Sequence, residues 1–304
     1  MHRRQFLRQT ATTASLLSAG MFPMQAIARP KTTSLTILHT NDVHSRIDPF
    51  PMDGSRNEGL GGVARRSKLI QQIRAQEPNV LLLDSGDIFQ GTPYFNFFAG
   101  ELEIKLMSEM GYDATTIGNH DFDAGIDGLL KQLPHATFPF VTCNYDFDHT
   151  VLREQTKPYQ VFEKGGVKIG VLGVGIALKG LVPEKLYADT RYLDPVTQAN
   201  QVADKLRYEE KCDYIICLSH LGYKYQNEQI DDIKFARSSR NIDLILGGHT
   251  HTFMPQPDII PNTENKPVMI NQVGWAGILL GRVDVSFEKN RKNRCVTCQN
   301  LIVR

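Results

Sequence analysis

Short apolar runs recur along the chain, and each is five to nine residues long, the length of a buried β-strand. They are rich in Ile, Val and Leu, as expected for strands that are covered on both faces. The pattern predicts eight strands: LTILHT (35–40), NVLLLD (79–84), ATTIG (114–118), FPFVTCN (138–144), VKIGVLGVG (167–175), DYIICLSH (213–220), DLILGG (243–248) and PVMINQV (267–273).

Helical periodicity appears between several of these runs, and it predicts helices over 63–74, 102–110, 195–210 and 226–237. Asp194 precedes a proline, which is typical of an N-cap followed by the first helical position. Alternation of strands and helices favours an α/β architecture with largely buried sheets. Since no internal repeat or low-complexity linker interrupts the chain, one domain is the simplest count.

Polar residues cluster where five of the predicted strands end. The blocks are HTNDVH (39–44), DSGD (84–87), GNHDFD (118–123), LSH (218–220) and GGHTH (247–251). Open α/β sheets build their binding sites at the carboxyl ends of their strands. Of the eight histidines after residue 28, six fall inside these blocks, and five of the six predict a common site there: His44, His120, His220, His249 and His251. The other three, His39, His135 and His149, are interpreted as ordinary core or surface residues.

These blocks contain seven side chains that can bind a metal: Asp42, His44, Asp87, Asn119, His220, His249 and His251. Imidazoles combined with carboxylates and an amide oxygen suit zinc, manganese, iron, cobalt or nickel better than calcium. Seven ligands are too many for one tetrahedral ion. They fit two divalent ions that share a bridging carboxylate, which typically lie ~3.5–4 Å apart. The pattern cannot select among these metals.

The first 28 residues have the composition of an export signal. Arg3, Arg4 and Arg8 precede an apolar run, and AIA (26–28) offers a small-residue cleavage site. The arginine pair is similar to the twin-arginine type, so we expect a periplasmic protein of residues 29–304. No later apolar run reaches the ~20 residues of a membrane span, and we expect none.

The net charge narrows the class of binding partner, and the number of cysteines limits the possible disulfides. Removal of residues 1–28 changes 34 basic and 33 acidic residues to 31 and 33, a formal charge of −2, because that segment has three arginines and no acid. This near-neutral balance argues against nucleic acid as a partner. Five cysteines leave at least one unpaired within the chain, and Cys295 and Cys298 are spaced for a local disulfide.

Taken together and in order, ILHTNDVHSR, DSGDIFQGTPY, TTIGNHDFD, LSHLG and GGHTHT resemble the calcineurin-like metallophosphoesterase superfamily, and more narrowly its 5′-nucleotidase branch. GGVAR (61–65) also resembles that branch. The similarity extends from about residue 35 to 287. It implies a four-layer α-β-β-α sandwich of two mixed sheets, and the hydrolysis of phosphoric esters, above all nucleotide phosphomonoesters.

The resemblance also implies a role for each matching residue. One metal ion would be held by Asp42, His44 and His251, the other by Asn119, His220 and His249, with Asp87 bridging the two ions. His120 would contact the substrate phosphate together with Asn119, and Asp123 would orient the ring of His120. Asp121 is interpreted as a supporting residue. Arg65 is interpreted either as a residue that orients a loop through a carboxylate or as a helix surface residue.

Members of that branch typically continue into a second domain that stacks the nucleobase, and we expect that domain to be absent from residues 29–304. Alternatives therefore stay open at this point: a catalytic subunit that needs a separate nucleotide-binding partner, a 2′,3′-cyclic nucleotide phosphodiesterase, a thiosulfohydrolase-like sulfur-ester hydrolase, or a non-catalytic metal-binding subunit. Aromatic residues in IFQGTPYFNFF (88–98) either line the substrate entrance or begin a buried helix.

Overall fold

Two β-sheets pack face to face in the computed structural model, which describes residues 32–288 and 294–304. The predicted export signal lies outside the described residues. The strands are β1 (Thr33–Thr40), β2 (Val80–Asp84), β3 (Ala114–Thr115), β4 (Tyr145–Asp146), β5 (Tyr159–Lys164), β6 (Val167–Gly175), β7 (Arg191–Tyr192), β8 (Tyr214–His220), β9 (Leu244–Gly247), β10 (Asp258–Pro261), β11 (Pro267–Asn271), β12 (Leu279–Phe287) and β13 (Arg294–Ile302).

Helices connect many of these strands. They are α1 (Val63–Gln76), α2 (Pro93–Phe98), α3 (Glu101–Met110), α4 (Ile126–Gln132), α5 (Glu184–Tyr187), α6 (Pro195–Asp204) and α7 (Asp232–Ser238). Shorter 3-10 turns occur at His120–Phe122 and Leu133–His135, and a π-helical turn at Lys205–Glu209 continues α6. None of the helices in the described part of the chain is long and apolar enough to cross a membrane.

Both large sheets are mixed. The first has the order β13-β12-β1-β2-β3, with β1, β2 and β3 parallel and β12 antiparallel to β1. The second has the order β10-β11-β9-β8-β6-β5, with β6, β8, β9 and β11 parallel. Thr40 is in register with Asp84, and Gly175 with His220, so neighbouring parallel strands end side by side. Their following loops therefore emerge at one edge of each sheet.

Three apolar layers explain the four-layer arrangement. Leu35 and Ile37 of β1 face the second sheet, whereas Leu38 points to the opposite side, because side chains alternate along a strand. Helices α1, α3 and α4 cover that outer side of the first sheet. On the second sheet, α6 and α7 cover the outer face through residues such as Ala199 and Phe235. The predicted α-β-β-α sandwich is confirmed.

Most predicted strands are present, but the one over 138–144 is wrong, because that segment makes only isolated bridges at Phe140 and Val141. Six strands were not predicted: the two-residue strands β4 and β7, and the longer strands β5, β10, β12 and β13. Along β12 buried and half-buried positions alternate, and β13 is an edge strand. Neither gives the continuous apolar run of a strand that is buried on both faces.

The helix predicted over 226–237 begins only at Asp232. The side chain of Asp231 accepts a hydrogen bond from the backbone N–H of Lys234 at 2.8 Å, which caps the helix there. Before it, the side chain of Asn227 accepts from the N–H of Gln229 at 3.1 Å, a local turn that competes with helix formation. Asp194 caps α6 as predicted, through the N–H of Thr197 at 2.8 Å.

The predicted disulfide between Cys295 and Cys298 is wrong. Both thiols are free, and both residues lie within β13. Residues three apart in a strand point to opposite faces, so their sulfur atoms are directed away from each other.

Candidate metal centre

All seven predicted ligands lie at the carboxyl ends of strands from both sheets, six of them in the loops that follow and one in the last position of a strand. Asp42 and His44 follow β1, Asp87 follows β2, and Asn119 follows β3. In the second sheet, His220 is the last residue of β8, and His249 and His251 follow β9. The structure brings all seven to one region between the sheets, as the sequence predicted.

The loops after β1 and β2 are joined along their backbones. The N–H groups of Asp42, His44 and Ser45 donate to the carbonyl groups of Gly86, Asp87 and Ile88 at 2.9, 3.1 and 2.9 Å. Five of the seven predicted ligands have a positive φ, between 48° and 71°: Asp42, His44, Asp87, His249 and His251. Such a conformation costs roughly 1–3 kcal/mol for a residue other than glycine, so the surrounding hydrogen bonds must hold it in place.

Two glycines allow these loops to approach one another. Gly86 has a φ of 85°, and a Cβ there would lie 2.6 Å from the backbone nitrogen of Gly118. A Cβ on Gly118 would lie 2.2 Å from a carboxylate oxygen of Asp87. A side chain at Gly86 would therefore push away the loop at Gly118, and a side chain at Gly118 would displace Asp87.

One group of potential ligands consists of Asp42, His44 and His251, whose ligand atoms lie within 4.8 Å of one another. The Nε2 atoms of His44 and His251 are 2.9 Å apart. Two ring nitrogens at this distance repel each other unless a proton or a cation lies between them. Asp42 is held by the backbone N–H of His249, which donates to both carboxylate oxygens at 3.0 Å.

The second group consists of Asp87, His220 and His249, again with ligand atoms within 4.8 Å of one another. The Nδ1 atom of His220 lies 2.6 Å from the carbonyl oxygen of Ser85, which fixes the ring. Its Nε2 is buried without a hydrogen bond and lies 3.1 Å from a carboxylate oxygen of Asp87. A buried ring nitrogen that lacks a partner beside a carboxylate is suited to a metal ion.

Asn119 joins the second group, since its Oδ1 lies 2.7 Å from Nδ1 of His249. Asp87 lies between the two groups, because one of its oxygens is 3.1 Å from Nε2 of His220 and 3.9 Å from Nε2 of His44. The same arrangement of donors suits two divalent ions with a shared carboxylate.

The electrostatics of this region favour bound positive charge. Burial alone would lower the pKa of His220, but the carboxylates of Asp87 and Asp42 raise it to about 10. Burial would raise the pKa of Asp87, yet the imidazoles of His220 and His44 hold it well below its usual range. The carboxylates thus attract a cation so strongly that, without a metal, a buried imidazole takes up a proton.

Two other imidazoles remain neutral, which is the form that binds metal. Burial and the nearby charge of His220 lower the pKa of His249 to about 4. Burial also lowers the pKa of His44. The donor set, its charge and its protonation therefore fit divalent transition-metal ions.

His120 stands beside these groups. Its Nδ1 lies 2.8 Å from a carboxylate oxygen of Asp123, and its ring is in edge contact with His44 at 5.2 Å between centroids. The hydrogen bond to Asp123 raises the pKa of His120, although burial opposes the shift. The backbone N–H of His120 donates to Asp87 at 2.7 Å. The structure thus places the predicted pair of His120 and Asp123 together at the entrance.

Asp121 has a clearer role than its sequence suggested. Its buried carboxylate accepts hydrogen bonds from the N–H groups of Asp87, Ile88 and Gly118 at 3.0, 2.8 and 2.8 Å. It therefore fixes the loop that carries Asp87. Arg65 is exposed on α1 and donates to the carbonyl oxygen of Gly59, so it contacts a loop through a backbone carbonyl group and not through a carboxylate.

Sequence reasoning missed Trp275. Its ring stacks on His251 with centroids 5.7 Å apart and an interplanar angle of 7°. Phe50 also contacts Trp275, edge to face, with ring centroids 5.8 Å apart. No motif surrounds this residue, and its only signal is that it is the single tryptophan of the chain.

The remaining predictions have mixed outcomes. His39, His135 and His149 lie away from the ligand groups, as interpreted; His39 is buried between the sheets and His149 is exposed. In the segment 88–98, Phe95 is buried against Phe89, whereas Phe97 is 79 % exposed on α2.

The fold and this arrangement of ligands define the class of metallophosphoesterases. The model of the calcineurin-like phosphoesterase family matches residues 35–253, and the chain belongs to this family. It is 34 % identical over 275 residues to the snake venom 5′-nucleotidase of Gloydius brevicauda, covering 84 % of this chain and 45 % of that protein. The chain spans about half the length of the curated relatives it matches.

Solved structures show the same fold. A 5′-nucleotidase precursor from Thermus thermophilus has a TM-score of 0.79 and 31 % identity, covering 89 % of this chain and 55 % of that one. The calcineurin-like phosphoesterase YfkN from Bacillus subtilis has a TM-score of 0.71 and 26 % identity, covering 90 % and 91 %.

Proposed function

We propose that this protein hydrolyses phosphoric monoesters, and that nucleotides are its preferred substrates. The observation that carries the proposal is the convergence of two ligand groups around Asp87, with the pair of His120 and Asp123 at their entrance. The names of the relatives, 5′-nucleotidases of about one-third identity, support the choice of nucleotides.

In this proposal one divalent ion is held by Asp42, His44 and His251 and the other by Asn119, His220 and His249, with Asp87 shared. Ions bound there would activate water at neutral pH and neutralise charge on the phosphoryl oxygens. Manganese, zinc, iron, cobalt and nickel all suit these donors.

The protein's own side chains would act on the ester. His120, 41 % exposed and hydrogen-bonded to Asp123, holds a proton that it can donate to the leaving oxygen as the bond between phosphorus and that oxygen breaks. Asn119 directs its Oδ1 to His249, which leaves its amide N–H groups to donate to a phosphoryl oxygen. Water supplies the new bond to phosphorus, so alcohol and phosphate are the products.

A substrate panel tests the function. Phosphate release would be measured from nucleoside 5′-monophosphates and glycerol 2-phosphate, and ring opening to the nucleoside monophosphate from 2′,3′-cyclic nucleotides, after addition of Mn²⁺, Zn²⁺ or Co²⁺. We expect turnover of the monoesters that a chelator abolishes. Failure with every monoester, or turnover of the cyclic nucleotides alone, would refute the proposal. A requirement for a companion protein carrying a nucleotide-binding domain would identify a split enzyme.

We also propose that residues 1–28 direct export to the periplasm and are then removed. The arginine pair, the apolar run and the AIA cleavage site support this. N-terminal sequencing of protein from the periplasmic fraction should begin at Arg29. Replacement of Arg3 and Arg4 by lysine should retain the precursor in the cytoplasm, and continued export of that variant would contradict the twin-arginine assignment.

A further inference from the structure

A cleft of about 450 Å³ opens beside the proposed metal centre, on the side of the second sheet. Its walls come from the loop after β6, from the short strand β7 and from the segment that precedes α7. Among its lining side chains are Ile176, Leu181, Tyr192, Tyr225, Ile230 and His249. This volume lies within the range of small-molecule sites, roughly 300–1,000 Å³.

The cleft adjoins the proposed reaction site through His249. His249 forms part of its wall and also contacts Asn119 through the 2.7 Å approach of Nδ1 to Oδ1. Asn119 is the neighbour of His120, the proposed proton donor. On the far side, Leu186 of α5 lies beside Gly125, which is two residues after Asp123. A phosphoryl group held by Asn119 and His120 would therefore have this cleft next to it.

The two tyrosines are held firmly in place. Tyr225 donates its hydroxyl hydrogen to the carbonyl oxygen of Leu221 at 3.0 Å. The ring of Tyr192 packs against that of Tyr145, with centroids 6.2 Å apart, yet Tyr192 remains 36 % exposed. Fixed aromatic rings offer a large contact area at a small loss of side-chain entropy.

The chemistry of the lining indicates the kind of ligand. Aliphatic and aromatic side chains dominate, and Leu181 exposes 45 % of its surface. Lys179 is the single cation among the lining residues, accompanied by the amide of Gln229. One lysine is a weak basis for recognising a polyanion, whereas tyrosine rings with a few hydrogen-bonding groups suit a flat heteroaromatic ring.

We infer that this cleft binds the leaving group of the substrate, and that it selects esters whose leaving group contains a planar heteroaromatic ring, as in a nucleoside. The inference rests on the proposed function, because it assumes that the phosphate of the ester lies beside Asn119 and His120. It assigns recognition of the nucleoside to the described residues themselves, with Tyr192 as the main contact.

The test compares two esters in wild type and in Tyr192→Ala. Adenosine 5′-monophosphate has the ring, and glycerol 2-phosphate lacks it. We expect the substitution to lower kcat/KM for the nucleotide about tenfold, mainly through KM, while kcat/KM for glycerol 2-phosphate is unchanged. Tyr208→Ala is the matched control, because Tyr208 is 58 % exposed on the π-helical turn and is not a lining residue.

A binding measurement separates the cleft from catalysis. Calorimetry with adenosine, which has no phosphate to hydrolyse, should give weaker binding to Tyr192→Ala than to wild type or Tyr208→Ala. If Tyr192→Ala unfolds, the exposed Leu181→Ser substitution takes its place, with a smaller loss in the same direction.

Equal effects on both esters, or equal adenosine affinity in wild type and variant, would overturn the inference while leaving the proposed function intact. Absence of turnover with both esters in wild type would instead overturn the proposed function. The adenosine measurement would then still decide whether the cleft binds a heteroaromatic ring.

Discussion

The floor of the metal centre and its rim are built differently. The floor is Asp42, Asp87 and His220, whose side chains are at most 2 % exposed. The rim is His120, Asp123 and His251, whose side chains are 41, 23 and 39 % exposed.

Different contacts hold the two regions. Each floor side chain contacts the main chain: Asp42 accepts from the N–H of His249, Asp87 from the N–H of His120, and His220 contacts the carbonyl oxygen of Ser85. At the rim, His120 depends on the carboxylate of Asp123, and His251 stacks on Trp275.

This contrast separates two tasks. The floor forms when the strands and their loops form, so its geometry is coupled to folding. A rim side chain can change without disturbing the main chain, because its partner is another side chain. We therefore expect floor substitutions to affect metal binding and stability, and rim substitutions to affect turnover or a single ligand.

The largest effect is expected for Asp87→Asn. The substitution keeps the shape of the side chain but removes the charge that lies between the two ligand groups. Removing a hydrogen-bond partner of a metal ligand typically lowers metal affinity by about 10–100-fold. Removing a ligand that two ions share should lower metal affinity by more than about 100-fold. Elemental analysis of the purified protein should find little metal, and turnover should be lost with it.

Asp48→Asn is the control for that substitution, since Asp48 is exposed. Metal content at the wild-type level in Asp87→Asn would show that the floor does not hold the metal ions.

His120→Asn, a substitution at the rim, should lower turnover and leave metal binding unchanged. Loss of a general acid typically lowers turnover by about 10²–10⁴-fold, and no metal should be lost because the floor is intact. Turnover and metal content would be measured on the same preparation, with the exposed His149→Asn as control. A parallel loss of metal would make His120 a ligand and would refute its assigned role.

Trp275→Leu should weaken the binding of one ion only, the ion whose ligands include His251. The stacked ring orients His251 as a hydrogen bond would orient another ligand, so we expect metal affinity to fall about tenfold, with one ion per chain lost first. Titration with Zn²⁺ followed by calorimetry would measure this. Trp275→Phe retains an aromatic face and should restore most of the affinity; equal weakening in both variants would mean that stacking is unimportant.

The convergence of the candidate ligands could be predicted from the sequence, because they follow continuous apolar strands in recognisable blocks. The sequence did not indicate Trp275, because this residue lies in the loop between β11 and β12 and contacts His251 only in the folded protein. It also gave Asp121 no definite role. Asp121 accepts hydrogen bonds mainly from backbone N–H groups of a loop that lies about 33 residues earlier in the sequence. Half-exposed strands such as β12 were missed for lack of a continuous apolar pattern.

The last effect is on stability rather than on metal content or turnover, and it concerns the support of the floor in strand β1. His39 of β1 lies fully buried, and its Nε2 accepts a hydrogen bond from the amide of Asn271 in β11 at 2.8 Å, which links the two sheets. Burial lowers the pKa of His39 to about 3 from an ordinary value of 6.5. Protonation would also break the bond to Asn271, because a protonated Nε2 cannot accept.

Between pH 6.5 and 3 the unfolded chain therefore holds a proton at His39 that the folded protein lacks. Stability from this residue is full above pH 6.5 and falls as the pH is lowered, by about 1.4 kcal/mol per pH unit. Urea unfolding at several pH values should show a shallower decline in His39→Gln than in wild type, whereas His149→Gln, changed at an exposed site, should keep the wild-type slope. An unchanged slope in His39→Gln would mean that His39 is already protonated in the folded protein, and that the contact between β1 and β11 does not depend on its neutral form.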